Sequence, residues 1–234
     1  MAIDVTKEYA VAEGSSNTTT LNVPANTVDG DLLLAWIYVQ NATDNHASAN
    51  GFTRIVNQLN ATFNGSRASL WWKRASGEGA TVVFTHGNSN RSGCIKRFPG
   101  VIATGNPLDA SISLNSVELG QVVTCASITT GTDGAAVILV GARVVAATWS
   151  LETLTRRIIQ EGGSGDASMF ADLKAVAGAT GTHTAKCGTT NNYLHGALIA
   201  LKPLVEETTY MPDKWWRNTE QPPAFLHKNR IVGY

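Results

Sequence analysis

The sequence predicts an all-β protein: a two-sheet antiparallel sandwich, jelly-roll-like, with an extended C-terminal arm. Three observations predict it. Segments rich in Val, Ile and Thr recur along the chain and are closed off by Gly, Asn and Ser clusters. Turn signals come every ~8–12 residues, a spacing that suits sandwich strands. The last stretch abandons both patterns for prolines and aromatics.

Strands are expected at roughly 2–7, 18–23, 31–39, 52–59, 68–75, 79–86, 92–98, 121–128, 135–142, 145–149, 154–160, 167–175, 180–187 and 194–202. Thr81-Val82-Val83-Phe84-Thr85-His86 shows the clearest alternation. The runs Asp31–Val39 and Ala135–Val140 are continuously apolar, which suits strands covered on both faces. Their β-branched residues and the flanking Gly30, Gly134 and Gly141 favour strand over helix. Leu151, Leu154 and Ile158 have helical spacing, yet a strand is preferred there too. These segments make one domain, residues 1–203.

Composition bounds the function. Only 15% of the 234 residues are charged and the formal net charge is zero. There is no basic stripe for a phosphate backbone, so no nucleic-acid partner is expected. A weakly charged surface repels itself poorly and favours association. No apolar run approaches the ~20 residues of a membrane span, and the N-terminus carries no signal-peptide pattern. N-x-S/T sequons start at Asn17, Asn41, Asn60, Asn64 and Asn90, which without a secretory route report only polar loops.

No GxSxG, HExxH, Walker or EF-hand pattern occurs. Cys94, Cys125 and Cys187 are widely spaced and odd in number, so they read as small buried apolar residues. His46, His86, His183, His195 and His227 are scattered singly, which gives no metal-ligand spacing. Glu161–Asp166 is glycine-rich but lacks a phosphate loop's lysine and reads as a strand connection. Asp31, Asp44 and Glu78 carry no mark of a glycosidase pair. No enzyme activity, metal or cofactor is expected. Adjacent Trp71 and Trp72 are expected to face opposite sides of a strand, one in the core and one outside. The outer ring is a possible glycan platform or subunit contact.

Residues 204–234 form the second unit. Pro212, Pro222 and Pro223 favour an extended course, and Tyr210, Trp215, Trp216, Phe225 and Tyr234 cluster among them. An extended segment cannot bury its own aromatics. The expected docking residues are Tyr210, Trp215, Trp216, Arg217, Phe225, Leu226, Arg230 and Tyr234.

Several phrases occur in order: Val23-Pro24, Gly30–Ala35, Gly51-Phe52-Thr53, Trp71–Ala75 with Gly77-Glu78-Gly79, Val82–Thr85, Phe98–Val101, Pro107-Leu108-Asp109 and Leu198–Pro203. This order resembles a β-sandwich domain of structural proteins of tailed bacteriophages, over roughly residues 1–203. The resemblance implies a non-enzymatic virion component. The chain lacks heptads and fibrous repeats, which suits a capsid-decoration or compact tail- or baseplate-peripheral protein better than a long fibre. The expected partners are other virion proteins and further copies of the chain, a trimer by resemblance. A host-surface glycan is the alternative partner.

Overall fold

In the computed structural model the described residues are 2–6, 8–40, 45–48, 50–60, 65–143, 149–151, 153–160, 166–188 and 192–205. They are strands and turns, with no helix among them. The strands are β1 (Tyr9–Asn22), β2 (Leu32–Val39), β3 (Ala47–Ser48), β4 (Thr53–Asn60), β5 (Ser66–Arg74), β6 (Thr81–Phe98), β7 (Ser113–Gly120) and β8 (Val122–Cys125). After them come β9 (Thr129–Thr130), β10 (Ala135–Arg143), β11 (Trp149–Leu151), β12 (Arg156–Gln160), β13 (Asp166–Lys174), β14 (Gly178–Ala179), β15 (His183–Cys187) and β16 (Asn192–Leu201).

Two antiparallel sheets carry the body. The first has the order β1-β6-β2-β5-β4, and the second has β12-β13-β10-β16-β7. Read from its other edge, the second sheet is β7-β16-β10-β13-β12, which is the first sheet's order with every strand replaced by a later one. The registers agree in detail. Gly30 donates its N–H to the carbonyl of Ala75, and Gly134 donates to that of Lys174, each just ahead of the sheet's central strand. The β4–β5 ladder has a bulge between Arg54 and Val56, and the β12–β13 ladder has one between Arg156 and Ile158. β3 pairs with the first part of β6, as β11 pairs with β15. The body is therefore two repeats of one fold.

Two glycines confirm the equivalence sterically. A Cβ on Gly93 would lie 2.9 Å from Thr19 Cγ2, and one on Gly196 would lie 2.5 Å from Val123 Cγ2. At both places a neighbouring strand crosses so closely that only glycine fits.

The repeats stack through one shared core. Leu34, Trp36 and Tyr38 of β2, Leu70 of β5, Ile138 and Val140 of β10, Met169 of β13 and Ile199 of β16 belong to it. Side chains one position along each strand point to the opposite face, and those outer faces are covered as well. In the first repeat, β1 and β6 are long enough to roll over the outer face, where Leu21, Val82 and Phe84 cover Leu33, Ala35 and Ile37. In the second repeat the cover is a separate sheet, β11-β15-β8, bringing Val123, Cys125, Trp149 and Ala185 onto Val137, Leu139 and Phe170. Coverage on both faces is why β2 is apolar throughout, β10 is apolar up to Arg143, and both are buried at every residue.

The all-β sandwich and most strands match expectation, including a strand over 156–160. Some elements differ. Residues 2–6 are not a strand, although Ile3 and Val5 are buried in the shared core. The segment 9–17 is strand despite its Gly, Ser and Asn, because β6 supplies its hydrogen bonds. The two strands expected at 79–86 and 92–98 are one continuous β6. β7 was not anticipated, and most of the strand expected at 145–149 lies outside the described residues.

Candidate functional site

Trp71 and Trp72 do face opposite ways, and the covered outer face leaves Trp71 no room to act as an external platform. Trp71 is 5% exposed, its Nε1–H donates to Ser69 Oγ at 2.7 Å, and its ring lies 5.6 Å from that of Phe84. The Arg54 guanidinium sits 5.4 Å from the Trp71 ring centroid. Trp72 is half-buried against the shared core. The remaining expected site residues, Tyr210, Trp215, Trp216, Arg217, Phe225, Leu226, Arg230 and Tyr234, lie outside the described residues.

The histidines are less scattered than the sequence suggests. Pairing of β3 with β6 brings the His46 and His86 rings to 5.6 Å. Ser69 Oγ accepts from Trp71 Nε1–H and lies 2.6 Å from His46 Nδ1, so the serine hydroxyl is free to donate to that nitrogen. Burial, with the nearby His86, Arg67 and Arg54 adding to it, lowers the His46 pKa to about 3. His86 Nδ1 meets the carbonyl of Gly87 at 2.8 Å, which places the proton there and leaves Nε2 to accept from Thr19 Oγ1 at 2.9 Å.

Between the repeats, His195 Nε2 lies 3.0 Å from Ser66 Oγ and Nδ1 lies 3.1 Å from Ser116 Oγ. A Ser–His contact is the start of a nucleophilic triad. Here the second ring nitrogen meets a hydroxyl instead of a carboxylate, and Ser66 and His195 are buried. Burial lowers the His195 pKa to about 4, so the ring is a neutral bridge between the two serines. Cys94, Cys125 and Cys187 are buried and form no disulfide. Burial pushes the pKa of Cys94 and Cys125 up to about 12, which suppresses the thiolate. Arg143 and Asp166 form a fully buried ion pair, with the guanidinium 5.5 Å from the Trp149 ring centroid. Among the described residues no group of three or more His, Cys, Asp or Glu side chains could hold a metal ion.

Among the described residues a concavity lies on the outer face of the second repeat. It encloses about 450 Å3. Val137 of β10 and Leu154 form its apolar floor, and Leu173 and Val176 form its rim. Asp172, Lys174, Thr153, Thr180 and His183 supply its polar wall. The wall is ordered from within: Asp172 Oδ2 accepts from the Thr155 N–H at 2.8 Å, and His183 Nδ1 lies 3.1 Å from Thr153 Oγ1. Burial lowers the His183 pKa against the opposing pull of the Thr180 carbonyl and the Asp172 charge.

The repeat explains why a pocket opens here. The two registers place Leu33 opposite Lys73 and Val137 opposite Asp172, at matching positions. Phe52 matches Leu154, Val82 matches His183 and Phe84 matches Ala185. In the first repeat Phe52 and Phe84 pack edge to face at 5.2 Å and close the layer. In the second, Ala185 is buried beneath a layer that holds Trp149, and the layer stays open at Leu154, where the ring of Phe52 has no counterpart. Reading the chain once from end to end misses this pocket. Aligning it on itself finds it, through Asp29-Gly30 with Asp133-Gly134, Thr53-Arg54-Ile55-Val56 with Thr155-Arg156-Arg157-Ile158, and Ala68-Ser69-Leu70 with Ala167-Ser168-Met169.

No family model, curated protein or solved structure matches the chain.

Proposed function

We propose that this chain is a non-enzymatic accessory structural protein of a tailed-phage virion, on the capsid or at the tail periphery, which docks on neighbouring subunits through its C-terminal arm. The observation that carries the docking is where the body closes. The first repeat ends at Gly100-Val101 and the second at Pro203-Leu204. Those two ends meet in a Val101–Pro203 bridge and a 2.7 Å bond from the Leu204 N–H to the carbonyl of Gly100. Everything after Val205 is surplus to both repeats, and that surplus holds Tyr210, Trp215, Trp216, Phe225 and Tyr234. An aromatic that becomes buried contributes ~1.5–3 kcal/mol before ordering costs, and multivalency on a repeating surface multiplies such contacts.

The neutral His195 bridge between Ser66 and Ser116, which has no carboxylate on its second nitrogen, and the suppressed thiols support a scaffold in place of a catalyst. The virion assignment rests on the ordered phrases from Val23-Pro24 to Leu198–Pro203. Mass spectrometry of purified particles should find the chain in stoichiometric amount. Particles that lack it would overturn the assignment. Removal of residues 206–234 should leave a folded body that no longer joins the particle.

A further inference from the structure

Resting on the docking role of the arm, we propose that the pocket of the second repeat is the receptor for the arm of a second copy of this chain, taking a tryptophan of the Trp215-Trp216 pair. The first argument is the shape of the deficit. Where the first repeat seats Phe52, the second has Leu154, and the floor that remains is Val137 and Leu154. A site made by withdrawing an aromatic ring from a layer that otherwise holds one is complementary to an aromatic ring. Its volume of about 450 Å3 accommodates an indole with its neighbouring backbone.

Position is the second argument. Gly134 hydrogen-bonds to the carbonyl of Lys174 on the pocket rim, and a Cβ on that glycine would lie 3.9 Å from the ring of Pro203. The arm therefore leaves the body at the end of the sheet where the pocket opens. Three of the eight exposed large apolar residues among those described, Leu173, Val176 and Val205, are the pocket rim and the arm root. An exchange between copies brings one copy's root onto the next copy's rim and covers both.

The third argument separates exchange from folding back. Val205-Glu206-Glu207-Thr208-Thr209-Tyr210-Met211-Pro212 contains no Gly, Asn or Asp that would turn the chain, and Pro212 biases Met211 to an extended backbone. From Val205 to Pro212 an extended chain would span about 24 Å, enough to carry the tryptophans past a pocket beside their own root and within reach of a neighbour's, and Asp213 comes only after that span. Lys214 and Arg217 flank the tryptophans and complement Asp172 in the polar wall.

The test uses three full-length proteins in sedimentation or light-scattering measurements: wild type, Leu154→Phe, and Trp215→Ala/Trp216→Ala. Leu154→Phe fills the pocket with the residue that Phe52 provides in the first repeat, so its circular dichroism and melting should match wild type. The wild type should self-associate, and each variant alone should weaken association at least tenfold. Mixing the two variants should restore a hetero-complex, because one supplies the arm and the other the pocket. A wild type that stays monomeric overturns the exchange. If the tryptophan variant dissociates while Leu154→Phe assembles normally, the arm docks but the pocket is not its receptor. If neither substitution alters association, the proposal and the self-docking role of the arm both fall.

Discussion

The first repeat solves its outer layer with continuity and aromatics. β1 and β6 run unbroken over the outer face, and Phe52, Trp71 and Phe84 fill the space beneath. The second repeat builds the same layer from pieces. Its counterparts of the long strands are split into β7 with β8 and β15 with β16, and its aromatics are Phe170 and Trp149, 6.3 Å apart. Trp149 occupies the position of His46, reaching over Gly141 where the first repeat has Ile37. A Cβ on Gly141 would lie 3.0 Å from the Trp149 ring. One topology thus tolerates two packing solutions, provided the shared core between the sheets is kept. The closed layer contributes rigidity and the open one offers a surface that can receive something.

That comparison can be broken by truncating matched residues. Trp71→Ala should cost about 3–5 kcal/mol, because a closed layer cannot collapse around the lost ring. Phe170→Ala, its counterpart, should fall at the low end of the same range, since its layer is already open on one side. Urea unfolding measures both, and a larger loss at Phe170 would show that the open layer is the stiffer one. Asp166→Ala should also cost about 3–5 kcal/mol by leaving Arg143 charged and unpaired in the interior. The first repeat has Val39 and Arg67 at these positions and manages without the pair. Combining Asp166→Ala with Arg143→Val should therefore recover most of the loss.

Much of this contrast was legible residue by residue, but not as a contrast. Continuous apolar character in the runs 31–39 and 135–140 indicates strands covered on both faces, as found, because burial on two faces removes the alternation. The edge strand β7 was missed because Ser113-Leu114-Asn115-Ser116 offers little apolar signal, and its hydrogen bonds come from β16. β6 looked like two strands since Gly87-Asn88-Ser89-Asn90 has turn composition, yet β1 pairs alongside it on both sides of a bulge between Ser16 and Thr18. The Trp71-Trp72 alternation is found as expected, but Trp71 is buried and Trp72 half-buried, because nothing local announces that a second layer will cover the far face. The pocket depends on residues far apart in the chain, and only the repeat reveals what is missing there.

Acid should expose another difference between the repeats, of intermediate size. His195 lies in the second repeat where the first has Ser92, a residue with no proton to gain. The unfolded imidazole binds a proton near its ordinary 6.5, while the buried ring resists until about 4. Protons therefore favour the unfolded chain across that interval. The His195 contribution is complete above 6.5, declines as pH falls toward about 4, and changes no further below. Its size is on the order of 3 kcal/mol. His46 adds a similar decline that continues to about 3. Denaturant midpoints across this range should fall steeply for wild type and less steeply for His195→Gln. Equal slopes would mean that His195 is not held neutral.

The smallest expected effect is the most informative about the open layer. Leu154→Phe and Phe52→Leu exchange the residues that distinguish the two layers. Phe52→Leu removes a ring packed against Phe84, so a closed layer gains a partial cavity, and the loss should be about 1–2 kcal/mol. Leu154→Phe adds volume, which in a filled core would cost a comparable amount through overpacking. Leu154 instead faces an open concavity of about 450 Å3, so the added ring has room, and its burial offsets any rotamer strain. The change should lie within about 0.5 kcal/mol of zero. Thermal or urea unfolding of the two single variants decides it. Opposite responses to the paired exchange mean that the layers differ in packing as the structure shows. A Leu154→Phe loss as large as that of Phe52→Leu would mean that the second layer is already full.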